Sequence, residues 1–241
     1  MRIPMTIVSI GMTLVSLTLF AAERLPPKSR TYTVSVSQHV SNETQLSDEG
    51  VRKVLAGASK VLKDNACDIT FTLEGSVGSF GSLTDETFGI VGKTNPDQKK
   101  LNLDAVHRLD ESTDANLHVK VVAKIEDFCR FKDERGEGFS GCAWPPKFRS
   151  IIVVQPLDGM FDDPPRGHVD PILYSMLWAH ELGHLMGLRH SLTPNSLMTP
   201  CAMNLTDKEI TVPQCLCYLS GPGTSPNGQC DLESVRCPRP N

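Results

Sequence analysis

Eleven residues, from His180 to His190, constrain this chain more than any other segment. They arrange three histidines, a glutamate and a glycine in the pattern H-E-x-x-H-x-x-G-x-x-H. On a helix, His180 and His184 lie one turn apart on one face, so both imidazoles can reach a single metal ion. Glu181 lies beside that face, where a carboxylate can handle a proton without being a ligand. With His190 as third ligand, an open fourth position indicates a catalytic zinc site.

The residues around this pattern predict a buried helix. Asp170 can cap the helix and Pro171 can occupy its first position. Residues 172–186 are apolar on nearly every side, which is typical of a helix inside a protein core. Gly187 can end the helix with a positive φ, so the chain turns back and brings His190 to the metal. A buried helix would hold the zinc site rigid and dry.

Three other interpretations of the pattern stay open. The histidines could be ordinary surface or core residues. The site could bind zinc without catalysing a reaction, although the presence of Glu181 favours catalysis. The chain could also be a disulfide-rich structural or inhibitor protein with a vestigial site.

The segment after the zinc pattern carries a resemblance to a known family. It reads S-L-T-P-N-S-L-M-T-P over residues 191–200. A long zinc motif followed by a methionine resembles the metzincin metalloproteases, in which a Met-turn lies beneath the metal, and Met198 is the matching residue. The match is closest to the matrixin branch, because several neighbouring residues are matrixin choices: Gly183, Leu188, Ser191, Leu197 and Pro200.

The resemblance implies roles for individual residues. His180, His184 and His190 would bind one catalytic zinc ion, Glu181 would be the general base, and Met198 would support the site from below. We find no cysteine-switch propeptide and cannot place the family's structural zinc and calcium ligands. Calcium is compatible with the family but is not supported by this sequence.

The order of predicted elements is similar to the metzincin N-terminal subdomain. Strands are expected at 31–40, 69–73, 117–121 and 150–157, with a mostly irregular stretch over 75–110. A helix opens at Ser47 and carries apolar residues at helical spacing: Val51, Val54, Leu55, Ala58, Val61 and Leu62. The short segment 139–144 would be an antiparallel edge strand to which extended substrate adds; otherwise it is a loop held by Cys142. The expected fold is an α/β, zincin-like α+β architecture. It would have a twisted mixed sheet of about five strands, two long helices and a zinc cleft below the edge strand.

The C-terminal part is expected to form a small disulfide-rich subdomain over 188–241, after an N-terminal subdomain over 23–187. Thr206 to Glu209 form a capping box that predicts a helix start, and Pro213 would end that helix early. In metzincins the residues after the Met-turn line the S1′ pocket, and here only residues 201–205 separate Pro200 from the predicted helix. The resemblance therefore implies a small or shallow S1′ pocket. The tail over 221–241 is rich in Pro, Gly and Cys and is expected to be irregular.

The N-terminus predicts export. Arg2 is followed by an apolar run over 3–20 and then by two alanines, which is typical of a signal peptide over 1–22; an uncleaved anchor is the alternative. An even number of cysteines behind such a segment indicates disulfides. Cys129 and Cys142 could form a local disulfide. A second metal site is the rival interpretation for three of the other cysteines. The eight cysteines are Cys67, Cys129, Cys142, Cys201, Cys215, Cys217, Cys230 and Cys237, and the rival site would use Cys201, Cys215 and Cys217.

The remaining observations limit the partners. A net charge of −4 gives no indication of a nucleic-acid surface. Asn42 and Asn204 are glycosylation acceptors in a eukaryotic host. Four further histidines are expected to be solvated rather than functional: His39, His107, His118 and His168.

Together these features predict a secreted, extracellular or periplasmic, monomeric zinc endopeptidase. It would act on proteins or peptides through a metal-activated water, without a membrane span after signal cleavage. The alternative is a zinc-binding, non-hydrolytic module that binds a peptide or a protein.

Overall fold

The computed structural model describes residues 28–81, 90–91, 115–125, 141–143, 149–161, 170–191, 193–199 and 205–222. The predicted signal segment, the tail beyond residue 222 and Cys129 of the proposed Cys129–Cys142 pair lie outside these residues, as do His107, His168 and Asn204. Within the described part, no helix is long and apolar enough to span a membrane.

The N-terminal half forms the predicted strand–helix–strand unit. Strand β1 (Ser29–His39) leads into helix α1 (Asp48–Asp64), and strand β2 (Asp68–Leu73) pairs parallel with β1. Ser47 caps α1, because its side chain accepts a hydrogen bond from the Gly50 amide. All six apolar residues predicted for this helix are buried. The helical spacing therefore predicted the buried face correctly.

One mixed sheet organises the described residues. Strands β5 (Leu117–Val122), β7 (Gly141–Ala143) and β8 (Ser150–Val154) complete the order β2-β1-β5-β8-β7, and β7 is antiparallel to β8. The predicted edge strand is thus confirmed, while the predicted strand 150–157 ends at Val154. Part of the stretch expected to be irregular forms strands as well. Strand β3 (Gly78–Phe80) pairs with β1 in the same sheet, whereas β4 (Ile90–Val91) pairs with β6 (Lys124–Ile125) in a separate two-stranded sheet.

The motif-bearing helix α2 (Pro171–Leu185) packs against α1 and contributes to the same hydrophobic core as alternate residues of the sheet. The Asp170 carboxylate accepts from the Ile172 amide at 2.9 Å, and Pro171 lies in the first turn, as predicted. From Tyr174 to Leu185 almost every residue of α2 is buried. The helix is therefore a core element, which explains why its sequence is apolar on all sides.

The opposite side of β1 and β5 is polar and yet buried. Ser37, His39, His118 and Lys120 are all less than a tenth exposed. The expectation that His39 and His118 are solvated is therefore wrong. Both alternate with core residues along their strands, so they point to the second face of the sheet, which is also covered.

The C-terminal helix starts later than predicted. Helix α3 (Val212–Ser220) is capped by Thr211, whose side chain and that of Gln214 form a reciprocal capping box. Pro213 lies in the first turn, where its missing N–H costs nothing, and so it does not end the helix. The helix start predicted at Thr206 is wrong, because Glu209 forms a parallel bridge with Ser196.

A disulfide ties this C-terminal helix to the N-terminal unit. Cys215 on α3 is bonded to Cys67, which lies between α1 and β2. Cys217 is also disulfide-bonded, and no described cysteine is free. The rival second metal site is therefore wrong, because two of its three thiolates are consumed as disulfides.

Candidate metal centre

The predicted ligands converge on one point. Helix α2 carries His180 and His184, and Gly187 follows with a φ of 87°, so the chain reverses and His190 returns to the helix. The Nε2 atom of His184 lies 3.1 Å from that of His180 and 3.2 Å from that of His190. Ligand nitrogens of a tetrahedral zinc site with Zn–N bonds of about 2.0–2.1 Å are separated by roughly 3.3 Å. The spacing of the three imidazoles therefore fits a zinc ion.

Backbone carbonyls orient two of the rings. His180 Nδ1 lies 2.7 Å from the Leu197 carbonyl oxygen, and His184 Nδ1 lies 2.7 Å from that of Leu188. A carbonyl can only accept, so each Nδ1 must carry the proton, and in a neutral ring Nε2 then keeps its lone pair. Lone pairs facing each other at this distance repel. A shared cation relieves that repulsion, which is a second reason why the donor set fits a metal.

The environment keeps the imidazoles of His180 and His184 neutral. Burial holds the pKa of His180 well below its usual value, and the neighbouring His184 lowers it further. Burial, followed by the charge of His190, lowers the pKa of His184 to about 4. Neutral imidazole is the form that binds metals. His180 is fully buried, whereas His184 and His190 are partly exposed, so the group is open on one side.

Glu181 lies between the helix and the edge strand. It is 2% exposed, and burial raises the pKa of its carboxyl to about 8, while a hydrogen bond from the Ala143 backbone opposes that rise. The carboxyl lies against the backbone of β7: a Cβ atom added to Gly141 would meet Glu181 Oε1 at 2.8 Å. The sequence places Glu181 next to the first histidine, and the fold adds a strand directly over it.

The segment after His190 packs against the motif helix. Met198 is fully buried, and its carbonyl accepts from the Ser191 amide at 2.8 Å. Its Sδ atom would lie 2.9 Å from a Cβ atom added to Gly183. The Tyr218 side chain of α3 also contacts Gly183, and the sequence did not predict this contact. Nothing in the cysteine-rich sequence around Tyr218 indicates that its ring faces the motif helix.

The site thus combines three converging imidazoles with a buried glutamate that the edge strand β7 covers. The family model of the matrixins, peptidase family M10, matches residues 28–215. That is well over half of the chain, and the chain belongs to this family. It is therefore a zinc metalloprotease. The match extends far beyond the segment 180–200 that carries the resemblance in the sequence.

Comparison with curated proteins finds no significant match. Among solved structures, archaemetzincin from Methanopyrus kandleri is 14% identical, with a TM-score of 0.42, over 80% of this chain and 96% of that one. A zinc-dependent peptidase from Methanocorpusculum labreanum is 18% identical, with a TM-score of 0.41, over 77% and 99%. Metalloproteinase-II from Bacteroides fragilis is 13% identical, with a TM-score of 0.42, over 82% and 54%.

Proposed function

We propose that the chain is a secreted zinc endopeptidase in which His180, His184 and His190 bind one zinc ion and Glu181 is the general base. The observation that carries this proposal is the convergence of three Nε2 atoms, two of them on rings whose Nδ1 faces a carbonyl. Such an arrangement has three fixed nitrogen donors and room for a further ligand. A zinc ion held by these three histidines would supply a Lewis acid, which would lower the pKa of a bound water and polarise a peptide carbonyl.

Glu181 would move the proton. Its carboxylate takes a proton from the attacking water and passes it to the leaving amine. Burial alone favours the protonated form, which accounts for the raised pKa of Glu181. A divalent cation bound by the adjacent neutral histidines would favour the carboxylate and lower that pKa again. The hydrogen bond from the Ala143 backbone acts in the same direction.

The edge strand β7 supports an extended peptide as substrate. Among the described strands it pairs only with β8, so the groups of its other edge that Glu181 does not engage can bind a peptide main chain. Because the carboxyl of Glu181 lies against the backbone of Gly141, a peptide added to this edge would pass close to the proposed base. Recognition of a main chain requires no particular side chains. This is consistent with a protein substrate, as expected for a peptidase family.

Secretion is proposed from the predicted signal peptide over 1–22 together with the disulfides of Cys215 and Cys217. We also propose that the mature chain is a monomer, divided at Gly187 into the two predicted subdomains. Secretion is tested by expressing the full chain in a host with a secretory pathway and sequencing the N-terminus of the exported product. A start at residue 23 is expected. Product that stays in the cell with residue 1 intact would contradict secretion.

The catalytic proposal is tested by counting zinc and measuring cleavage of a peptide library with and without a chelator. One zinc per chain and chelator-sensitive cleavage are expected. Glu181→Ala should keep its zinc and lose about 10²–10⁴-fold in kcat, whereas Glu43→Ala, at an exposed glutamate, should match the wild type. Appreciable turnover in Glu181→Ala would refute the general-base role. Stoichiometric zinc without cleavage in the wild type would instead indicate the non-hydrolytic module.

A further inference from the structure

Tyr218 connects the disulfide-tethered helix α3 to the helix that carries the proposed zinc ligands. Its side chain is fully buried, and its hydroxyl donates to the Ala179 carbonyl at 2.7 Å. Ala179 directly precedes His180. In a helix the Ala179 carbonyl also accepts a hydrogen bond from the amide four residues later. The Tyr218 hydroxyl therefore bonds to the second lone pair of the Ala179 oxygen.

The same hydroxyl also contacts the turn that precedes His184. A Cβ atom added to Gly183 would lie 2.5 Å from Tyr218 Oη and 2.9 Å from Met198 Sδ. Gly183 therefore allows the phenol to reach the helix backbone. Since Ala179 and Gly183 lie four residues apart on one face, Tyr218 touches the residue before each of the two histidines.

Tyr218 is itself held from the N-terminal unit. The Tyr32 hydroxyl donates to the Tyr218 carbonyl, and the Arg30 guanidinium donates to the carbonyls of Leu219 at 2.8 Å and Ser220 at 2.6 Å. The Cys67–Cys215 disulfide anchors the preceding turn of α3. A side chain whose backbone is restrained in this way can fix the part of another helix that it touches.

We propose that Tyr218 is a positioning residue for the metal centre, acting through Ala179 and Gly183 on the placement of His180 and His184. This proposal rests on the proposed function, because it requires that these histidines bind zinc. Groups that orient metal ligands without touching the metal contribute to affinity and activity, and their loss costs about 10–100-fold. Tyr218 contributes no atom to the histidine cluster, so its effect has to be seen in the geometry and affinity of the ligands.

The test compares Tyr218→Phe with Tyr174→Phe in the full, zinc-loaded chain. Tyr174 is a matched control because it is also fully buried and its hydroxyl donates to a carbonyl, that of Val154, at the same 2.7 Å. Both variants should lower the melting temperature by similar amounts. Only Tyr218→Phe should weaken zinc binding in a chelator competition by about tenfold and lower kcat by about tenfold, with KM changed less than about twofold. The visible spectrum of the cobalt-substituted protein should change in Tyr218→Phe and not in Tyr174→Phe.

Gly183→Ala provides a second variant. The added methyl group would meet the Tyr218 hydroxyl, so it should weaken zinc binding in the wild-type background by at least about tenfold. In the Tyr218→Phe background the cost should be smaller, because the nearest remaining contact is the flexible Met198 side chain.

Equal zinc affinities and cobalt spectra in Tyr218→Phe and Tyr174→Phe would overturn the positioning role while leaving the proposed function intact. If the losses in zinc affinity caused by Gly183→Ala and by Tyr218→Phe simply add in the double variant, the contact on which the positioning role depends is overturned. A wild-type chain that binds no zinc would overturn both the proposed function and this role.

Discussion

Replacing Lys120 by methionine tests how the sheet tolerates an amine in its interior. Lys120 lies in β5 with no exposed surface, and its Nζ atom donates to Ser37 Oγ at 3.0 Å. The same atom lies 6.0 Å from the ring centroid of Phe80. Burial lowers the pKa of Lys120 from 10.5 to about 7. The folded chain therefore favours the neutral amine, whereas the unfolded chain carries the ammonium ion.

The size of the effect follows from this difference in pKa. Between pH 7 and about 10.5 the unfolded chain binds a proton that the folded chain has released, so the free energy of unfolding rises with pH in this window. At about 1.4 kcal/mol per pKa unit, the whole window corresponds to roughly 5 kcal/mol. Between pH 7 and 9 the rise should be about 2 kcal/mol. Below pH 7 both states bind the proton, and this contribution no longer changes.

The assay is urea unfolding of the zinc-loaded protein at pH 7, 8 and 9 in a Glu181→Gln background. This background prevents self-digestion. It also removes a carboxyl whose raised pKa would make stability fall as pH rises toward 8. The upper limit of pH 9 avoids the buried tyrosines, whose ordinary pKa is 10.0. The parent should gain about 2 kcal/mol across this range. Lys120→Met should show no such rise. The amount by which its free energy of unfolding exceeds that of the parent should therefore be largest at pH 7.

Two outcomes would refute the reasoning. If the parent is equally stable at pH 7 and pH 9, Lys120 is not desolvated in the folded chain. If Lys120→Met rises with pH as steeply as the parent, another group is responsible. A Lys53→Met variant, at an exposed lysine of α1, is the control and should follow the parent at every pH.

Two further predictions concern the C-terminal tether and the turn of the motif. Removing the Cys67–Cys215 disulfide with a double alanine variant should cost up to about 5 kcal/mol in the free energy of unfolding, because it closes a loop with a sequence separation of 148 residues. A loss below about 1 kcal/mol in urea unfolding would contradict the chain-entropy account. Gly187→Ala should cost about 1–2 kcal/mol, because φ is 87° there, and should weaken zinc binding in a chelator competition by misplacing His190. Asparagine tolerates a positive φ better than alanine, so the free energy of unfolding of Gly187→Asn should lie between those of Gly187→Ala and the wild type. Equal stability of Gly187→Ala and the wild type would contradict the argument.

Helices α1 and α2 could be predicted closely because their signals are local. Ser47 and Asp170 cap their own helices, and the apolar residues that follow occupy the buried positions. The C-terminal helix could not be placed in this way. Two capping boxes compete within nine residues, starting at Thr206 and Thr211, and local pattern does not choose between them. The choice is made by distant contacts: the Glu209 backbone bonds with Asn195 and Leu197, so it cannot belong to a helix.

The buried polar face of the sheet was also beyond prediction. His39 and Lys120 alternate with apolar residues, a pattern typical of a strand with one face in water. Whether that second face is covered depends on which other segments lie over it, and alternation carries no information about this. The same holds for His118, which is 7% exposed.

The sequence by itself determined the chemistry of the centre, because four-residue spacing on a helix and a glycine turn bring three imidazoles together whatever surrounds them. Tertiary structure decided how that chemistry is controlled. The Leu197 carbonyl faces the Nδ1 atom of His180, the strand at Gly141 covers Glu181, and Tyr218 bonds to the helix backbone. These partners come from segments 17 to 40 residues away from the residues they contact. Long-range packing therefore determines the protonation, burial and orientation of groups that the motif only brings together.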